Sequence, residues 1–242
     1  MKYPDNQKII DKLAEMVCIY SGDNAWKKLT RSEIPTGNMS NKELSMSMQA
    51  ILEGLEIYSG KETTREIMHR VRHALTRDSY KTARTDFLRF NNIDDFAHYI
   101  WDRQIFQLKE CMEQNKLFFD QPIDKAAYEY ALSVPELFFG KRYGDVILAE
   151  AIPYRLVDYM KTDNNREKRY FMCHCQFARE SILQDKTVSG SMCFCSMGHV
   201  KLFWEAALDM ELQGNVVKSV LNGDDKCIFE IYLPHEIMNQ YI

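Results

Sequence analysis

Through the first two thirds of the chain, apolar positions recur at helical spacing. Ile9, Ile10, Leu13, Met16, Val17 and Tyr20 form one stripe, because side chains three and four residues apart share a helix face. Ser40 followed by Glu43 is a capping-box signal, and Leu44, Met48, Ile51, Leu52 and Leu55 continue from it. Ile67, Met68, Val71, Ala74 and Leu75 predict a third helical segment. Asn92 is a good N-cap for a longer helix whose apolar face runs from Ile93 and Phe96 through Ile100 and Ile105 to Leu108 and Met112. Asp94 and Asp95 favour the positive end of its dipole. Shorter helices are predicted over 125–133 and 144–159, a region that Pro135 and Pro153 interrupt.

The period changes after the polar run 161–169, which contains Asn164-Asn165 and reads as an exposed connection. Residues 170–175 predict a strand with Phe171, Cys173 and Cys175 on one side and Tyr170, Met172 and His174 on the other. A short helix over 177–183 follows. Val200, Phe203, Trp204, Ala207 and Leu208 mark a regular amphipathic helix; His199 at its start could face a pocket, although an exposed first-turn position is favoured. Strands over 216–221 and 226–233 are predicted on either side of the loop 222–225, and Cys227, Phe229, Ile231 and Leu233 share a face. The expected fold is α+β, a helical N-terminal part followed by a small antiparallel sheet with flanking helices. Residues 1–160 form the helical region and 161–242 a cysteine-rich α+β unit, packed with the first as one domain or standing apart.

Composition narrows the function classes. No apolar run approaches the roughly 20 residues that span a bilayer. Asp5, Lys8, Asp11, Lys12 and Glu15 break the first twenty residues, so no signal peptide is expected and the chain reads as cytoplasmic and free of membranes. Net charge is −4, and neither residues 1–150 (21 basic, 23 acidic) nor residues 151–242 (10 basic, 12 acidic) are basic overall. The segment 65–89 carries a local charge of +4 with Tyr80, Phe87 and Phe90 interleaved, but a solvated helix face explains it as well as phosphate contact. Nucleic acid is therefore disfavoured as a partner, and a small-molecule ligand or substrate is expected. A homo-oligomer is compatible with the sequence.

The cysteines supply the candidate chemistry. Cys18 and Cys111 are isolated, whereas Cys173, Cys175, Cys193, Cys195 and Cys227 fall close together in sequence. Without a secretory signal they read as thiols rather than disulfides. Paired Cys-x-Cys segments, with Cys227 as an alternative ligand, could hold zinc in a tetrahedral thiolate site, and an iron–sulfur cluster is chemically allowed. The competing reading is that these thiols are buried as small apolar side chains.

The run from Cys173-His-Cys to Ile182, then Cys193-Phe-Cys-Ser-Met-Gly198, Lys201, Trp204-Glu205, 219–224, Cys227, Phe229 and Leu233-Pro234 resembles bacterial L-2-amino-thiazoline-4-carboxylic acid hydrolase-like proteins. These are themselves similar to 4-vinyl reductase ligand-binding domains. The resemblance covers about residues 170–234 and implies an antiparallel sheet with flanking helices and hydrolytic opening of a small sulfur heterocycle. That chemistry needs a nucleophile: a thiolate at Cys175 or Cys193, or a metal-activated water. Arg179 and His174 would supply positive potential, and Glu180 or Glu205 would act as general base. The alternative from a different class is a non-catalytic small-ligand-binding or sensing protein with structural cysteines.

Overall fold

Helices built on the predicted stripes dominate the first half of the computed structural model, which describes residues 5–31, 34–184 and 186–242. Helix α1 (Asn6–Ser21) is capped by Asp5 and turns Ile9, Ile10, Leu13, Met16 and Val17 inward. After the short α2 (Ala25–Leu29), helix α3 (Asn41–Ser59) opens with the predicted capping box, in which the Glu43 carboxylate accepts from the Ser40 N–H at 2.8 Å. Helix α4 (Lys61–Val71) stops earlier than its apolar pattern suggests, and Arg72–Ala74 form a 3-10 turn. Helices α5 (Ala83–Phe90), α6 (Ile93–Glu113) and α7 (Lys125–Leu132) follow. Asn92 caps α6 as expected, accepting from the N–H groups of Asp94 and Asp95.

Strands β1 (Lys141–Tyr143) and β2 (Val146–Glu150) come next, then helices α8 (Leu156–Lys161), α9 (Asn165–Met172) and α10 (Cys193–Leu208), strands β3 (Gln213–Lys218) and β4 (Ile228–Tyr232), and helix α11 (His235–Tyr241). The sheet is antiparallel in the order β1-β2-β4-β3, so it draws two strands from before residue 160 and two from after it. The fold is α+β, with helices flanking this small sheet.

Four local expectations change. The span 144–159 holds β2 and α8 rather than one helix: the short run Val146 to Ala149 pairs with β4, setting Ile147 opposite Ile231 and Ala149 opposite Phe229. A short apolar run fits a strand and a buried helix alike, and pairing decides between them. Residues 170–175 are not a strand. The polar run ahead of them supplies the Asn164 cap and first turn of α9, which carries helix to Met172 before Cys173 leaves it in extended conformation. Helix α10 begins at Cys193, seven residues before Val200, so Cys193 and Cys195 are helical rather than loop residues. Strand β3 ends at Lys218, after a bulge, because Ser219 caps a 3-10 turn over Val220–Asn222.

One hydrophobic core runs from Ile9 to Tyr241 and centres on Trp204, which is fully buried and donates its indole N–H to the Phe139 carbonyl at 2.7 Å. A second, smaller core joins Ile105 and Leu108 of α6 to Ala127 of α7 and Leu156 of α8. Helices α4 and α10 cross at close range: a Cβ on Gly198 would lie 2.2 Å from the His69 carbonyl oxygen. No helix among the described residues is long and apolar enough to cross a membrane.

Candidate ligand-binding site

Where α1, α6, α10 and the end of β2 approach one another, they leave an apolar cavity of about 290 Å³. Phe119, Phe138, Phe139, Phe177 and Phe229 supply aromatic wall, with Ile9, Ile152 and Val200 between them. Into this wall the fold sets three imidazoles, His73, His174 and His199, and two thiols, Cys175 and Cys195. Asn6, Gln104, Gln176 and Ser196 add uncharged polar groups.

Each imidazole arrives by a different device. His199 projects from the middle of α10, one turn beyond Cys195, and is hydrogen-bonded through Nε2 to the Tyr80 hydroxyl. Its ring lies 5.0 Å from that of His73, centroid to centroid. His174 sits in the turn after α9, where its Nε2–H donates to the Ile152 carbonyl at 2.6 Å. His73 is placed by a strained turn: Arg72, His73 and Ala74 have φ of 34°, 57° and 56°, three successive non-glycine residues in the left-handed region. Such residues cost on the order of 1–3 kcal/mol each. The His73 N–H meets the Cys195 sulfur at 3.2 Å, which ties the turn to α10. Phe119 and Phe138, also in the wall, have φ of 48° and 73°. Strained backbone recurs around this cavity.

The electrostatics are those of an apolar pocket with no charged side chain among the described lining residues. Burial, helped by the neighbouring imidazoles, lowers His73 to about 3. Burial likewise lowers His174 and His199 to about 4, with Arg179 adding to the effect at His174. All three are therefore neutral at pH 7. Burial pushes the Cys175 and Cys195 thiols up to about 12, so both keep their protons.

The two Cys-x-Cys pairs are each split between core and cavity. Cys173 and Cys193 are buried in the core beside Cys227, and Cys193 also meets the Ser219 hydroxyl at 3.0 Å. Cys175 and Cys195 face the cavity. On a strand, positions i and i+2 share a face, but on helix α10 they lie about 200° apart, which separates Cys193 from Cys195. The hydrogen bond to Cys227, then burial, raises the Cys193 thiol, and the same bond lowers Cys227. The five cysteines thus do not converge as one ligand set. Among the described residues no three His, Cys, Asp or Glu side chains are gathered so as to hold a metal ion.

Of the four side chains expected to act in catalysis, only Cys175 lines the cavity. Cys193 lies in the core. Arg179 is buried behind the wall, its guanidinium 3.9 Å above the Tyr154 ring. Glu205 faces away, in a fully interior ion pair with Lys201, and accepts from the Leu212 N–H at 3.1 Å. Sequence reasoning missed His73 and misplaced His199. Starting α10 at Cys193 would have put Cys195 and His199 on one face, one turn apart, but nothing local marks the left-handed turn that delivers His73. No protein-family model, no curated protein and no solved structure matches the chain.

Proposed function

We propose that this protein is a small-molecule-binding protein whose ligand occupies the cavity between α1, α6 and α10. One observation carries the reading: an aromatic pocket of about 290 Å³ is lined by three imidazoles and two thiols. His174 and His199 each have a hydrogen-bond partner, whereas the His73 ring has none among the described residues although a strained turn holds it in place. Preformed apolar pockets with a few convergent polar groups are the usual form of ligand sites. Helices from the N-terminal half and the C-terminal unit both supply wall, so an occupant would bridge them and stabilise the fold by mass action.

Ring-opening hydrolysis, implied by the resemblance, has less support. Cys175 has the position for attack, but a thiol raised to about 12 is almost wholly protonated at pH 7. Among the described residues no carboxylate lines the cavity to take its proton.

An uncharged fluorescent probe such as 1-aminoanthracene tests the binding reading. Saturable binding with one site per chain is expected, together with a raised Tm. Ala151→Phe, which places a ring in the cavity, should abolish both effects while leaving the protein folded by circular dichroism. Undiminished binding in the filled variant would exclude this cavity as the site.

A further inference from the structure

We infer that the ligand is an uncharged aromatic molecule carrying both a hydrogen-bond donor and an acceptor, and that the cavity rejects the carboxylate analogue of such a molecule. This deepens the ligand-binding reading and rests on it.

Among the described residues no Asp, Glu, Lys or Arg side chain lines the cavity. A charge brought into an apolar space without a counter-charge costs several kcal/mol, so the wall selects on charge before it selects on shape. Behind the wall lies Arg179, whose guanidinium is covered by Tyr154 at 3.9 Å and has Glu180 3.6 Å from its Nε, although Nε and Nη1 make no hydrogen bond among the described residues. An anion in the cavity meets no cation among the described lining residues, and burial opposes protonation of all three rings.

The same imidazoles define what an uncharged ligand must offer. His174 gives its Nε2–H to the Ile152 carbonyl, which leaves Nδ1 as an acceptor. His199 spends Nε2 on the Tyr80 hydroxyl, which leaves Nδ1 for a ligand. His73 supplies one of each. A hydrocarbon would displace water from these groups without replacing its hydrogen bonds, which lowers its affinity. Phe139 and Phe177 in the wall favour a ring over an aliphatic chain, through edge and stacked contacts.

The decisive comparison uses two probes of equal shape, indole-3-carboxamide and indole-3-carboxylate. Each is titrated calorimetrically into the full-length protein at pH 7.5, in two buffers of different ionisation enthalpy. The carboxamide should bind at least 100-fold more tightly, with no proton exchanged with buffer, and Ala151→Phe should abolish its binding. Two results overturn the inference while leaving the cavity as a binding site: carboxylate binding as tight as that of the carboxamide, or carboxylate binding with uptake of one proton. Binding of the carboxamide that survives in Ala151→Phe, or failure of 1-aminoanthracene and both indoles to bind wild-type protein, overturns the cavity reading and the inference together.

Discussion

Opposite sides of helix α10 treat polar groups in opposite ways. On one side Met197, Lys201 and Glu205 face α4 and the start of β3, where a polar cleft of about 190 Å³ also takes in Glu62, Arg65, Glu66 and His69. There each charge has an opposite partner: Lys201 with Glu205, Arg72 with Glu205 at 3.4 Å, Arg65 with Glu62 at 2.7 Å, and Arg70 with Glu66 at 3.0 Å, while the His69 imidazole, lowered by burial, lies 2.9 Å from Glu66. On the other side Cys195, Ser196, His199 and Val200 face an apolar cavity with no charged side chain among its described lining residues. The polar groups of the first side are paired with opposite charges, whereas those of the second are neutral and border the cavity, and this distinguishes the two sides. Glu205, expected as a general base, belongs to the paired side.

The largest effect should separate the two sides by acid. His73, His174 and His199 have folded-state values of about 3, 4 and 4, below the ordinary 6.5. The unfolded chain therefore binds more protons below pH 6.5. Their contribution to stability is complete above that pH and is lost as pH falls toward 4. Between pH 7 and 5 each ring should cost roughly 2 kcal/mol, and the three together roughly 5 kcal/mol. Urea unfolding at the two pH values should show His199→Phe losing about 2 kcal/mol less than wild type on acidification. Equal losses would mean that this imidazole is not held neutral by burial.

Removing one partner of the paired side comes next. Glu205→Gln should lower stability by about 3–5 kcal/mol, because it strands the interior Lys201 ammonium. Where the variant remains folded, its affinity for 1-aminoanthracene should match wild type. A large loss of affinity would make the two sides one coupled unit.

The thiols sharpen the comparison on a smaller scale. Cys193→Ala removes a core sulfur hydrogen-bonded to Cys227 and close to Ser219, and should cost about 1–2 kcal/mol. Cys175→Ala enlarges the cavity and removes weak contacts of the sulfur with the Phe177 and Ala178 N–H groups, and should cost under about 1 kcal/mol. With the protein folded at pH 7.5, iodoacetamide should label Cys175 more slowly than it labels glutathione, since the raised thiol is protonated. Faster labelling would restore Cys175 as a nucleophile.

Smallest is the strained turn. Ala74→Gly relieves a left-handed residue at φ 56° and should raise stability by about 0.5 kcal/mol, after the entropy that glycine loses on folding. Probe affinity should fall slightly as His73 gains freedom. An unchanged or lowered Tm would show that the turn stores no strain at Ala74.

Much of the architecture was legible because helices and caps are local. The stripes of α1, α3 and α6, the Ser40–Glu43 box and the Asn92 cap depend on residues within four positions of one another. The buried face of β4 was readable from its alternation. Cys173 and Cys175 were assigned to a strand face because 170–175 alternates, yet the polar residues ahead of it start a helix that runs through Met172. His199 was placed on the surface because its helix was begun seven residues late.

What the sequence by itself determined was the α+β class, most helix positions and the concentration of thiols toward the C-terminal part. The tertiary structure decided which of those groups meet. The close crossing of α4 and α10 at Gly198, the left-handed turn at Arg72–Ala74 and the antiparallel pairing of β2 with β4 are contacts between residues far apart in the chain. Periodicity records which way a side chain points from its own helix or strand. Whether it meets packed core, an opposite charge or an empty apolar space depends on neighbours that lie a hundred residues away in the chain.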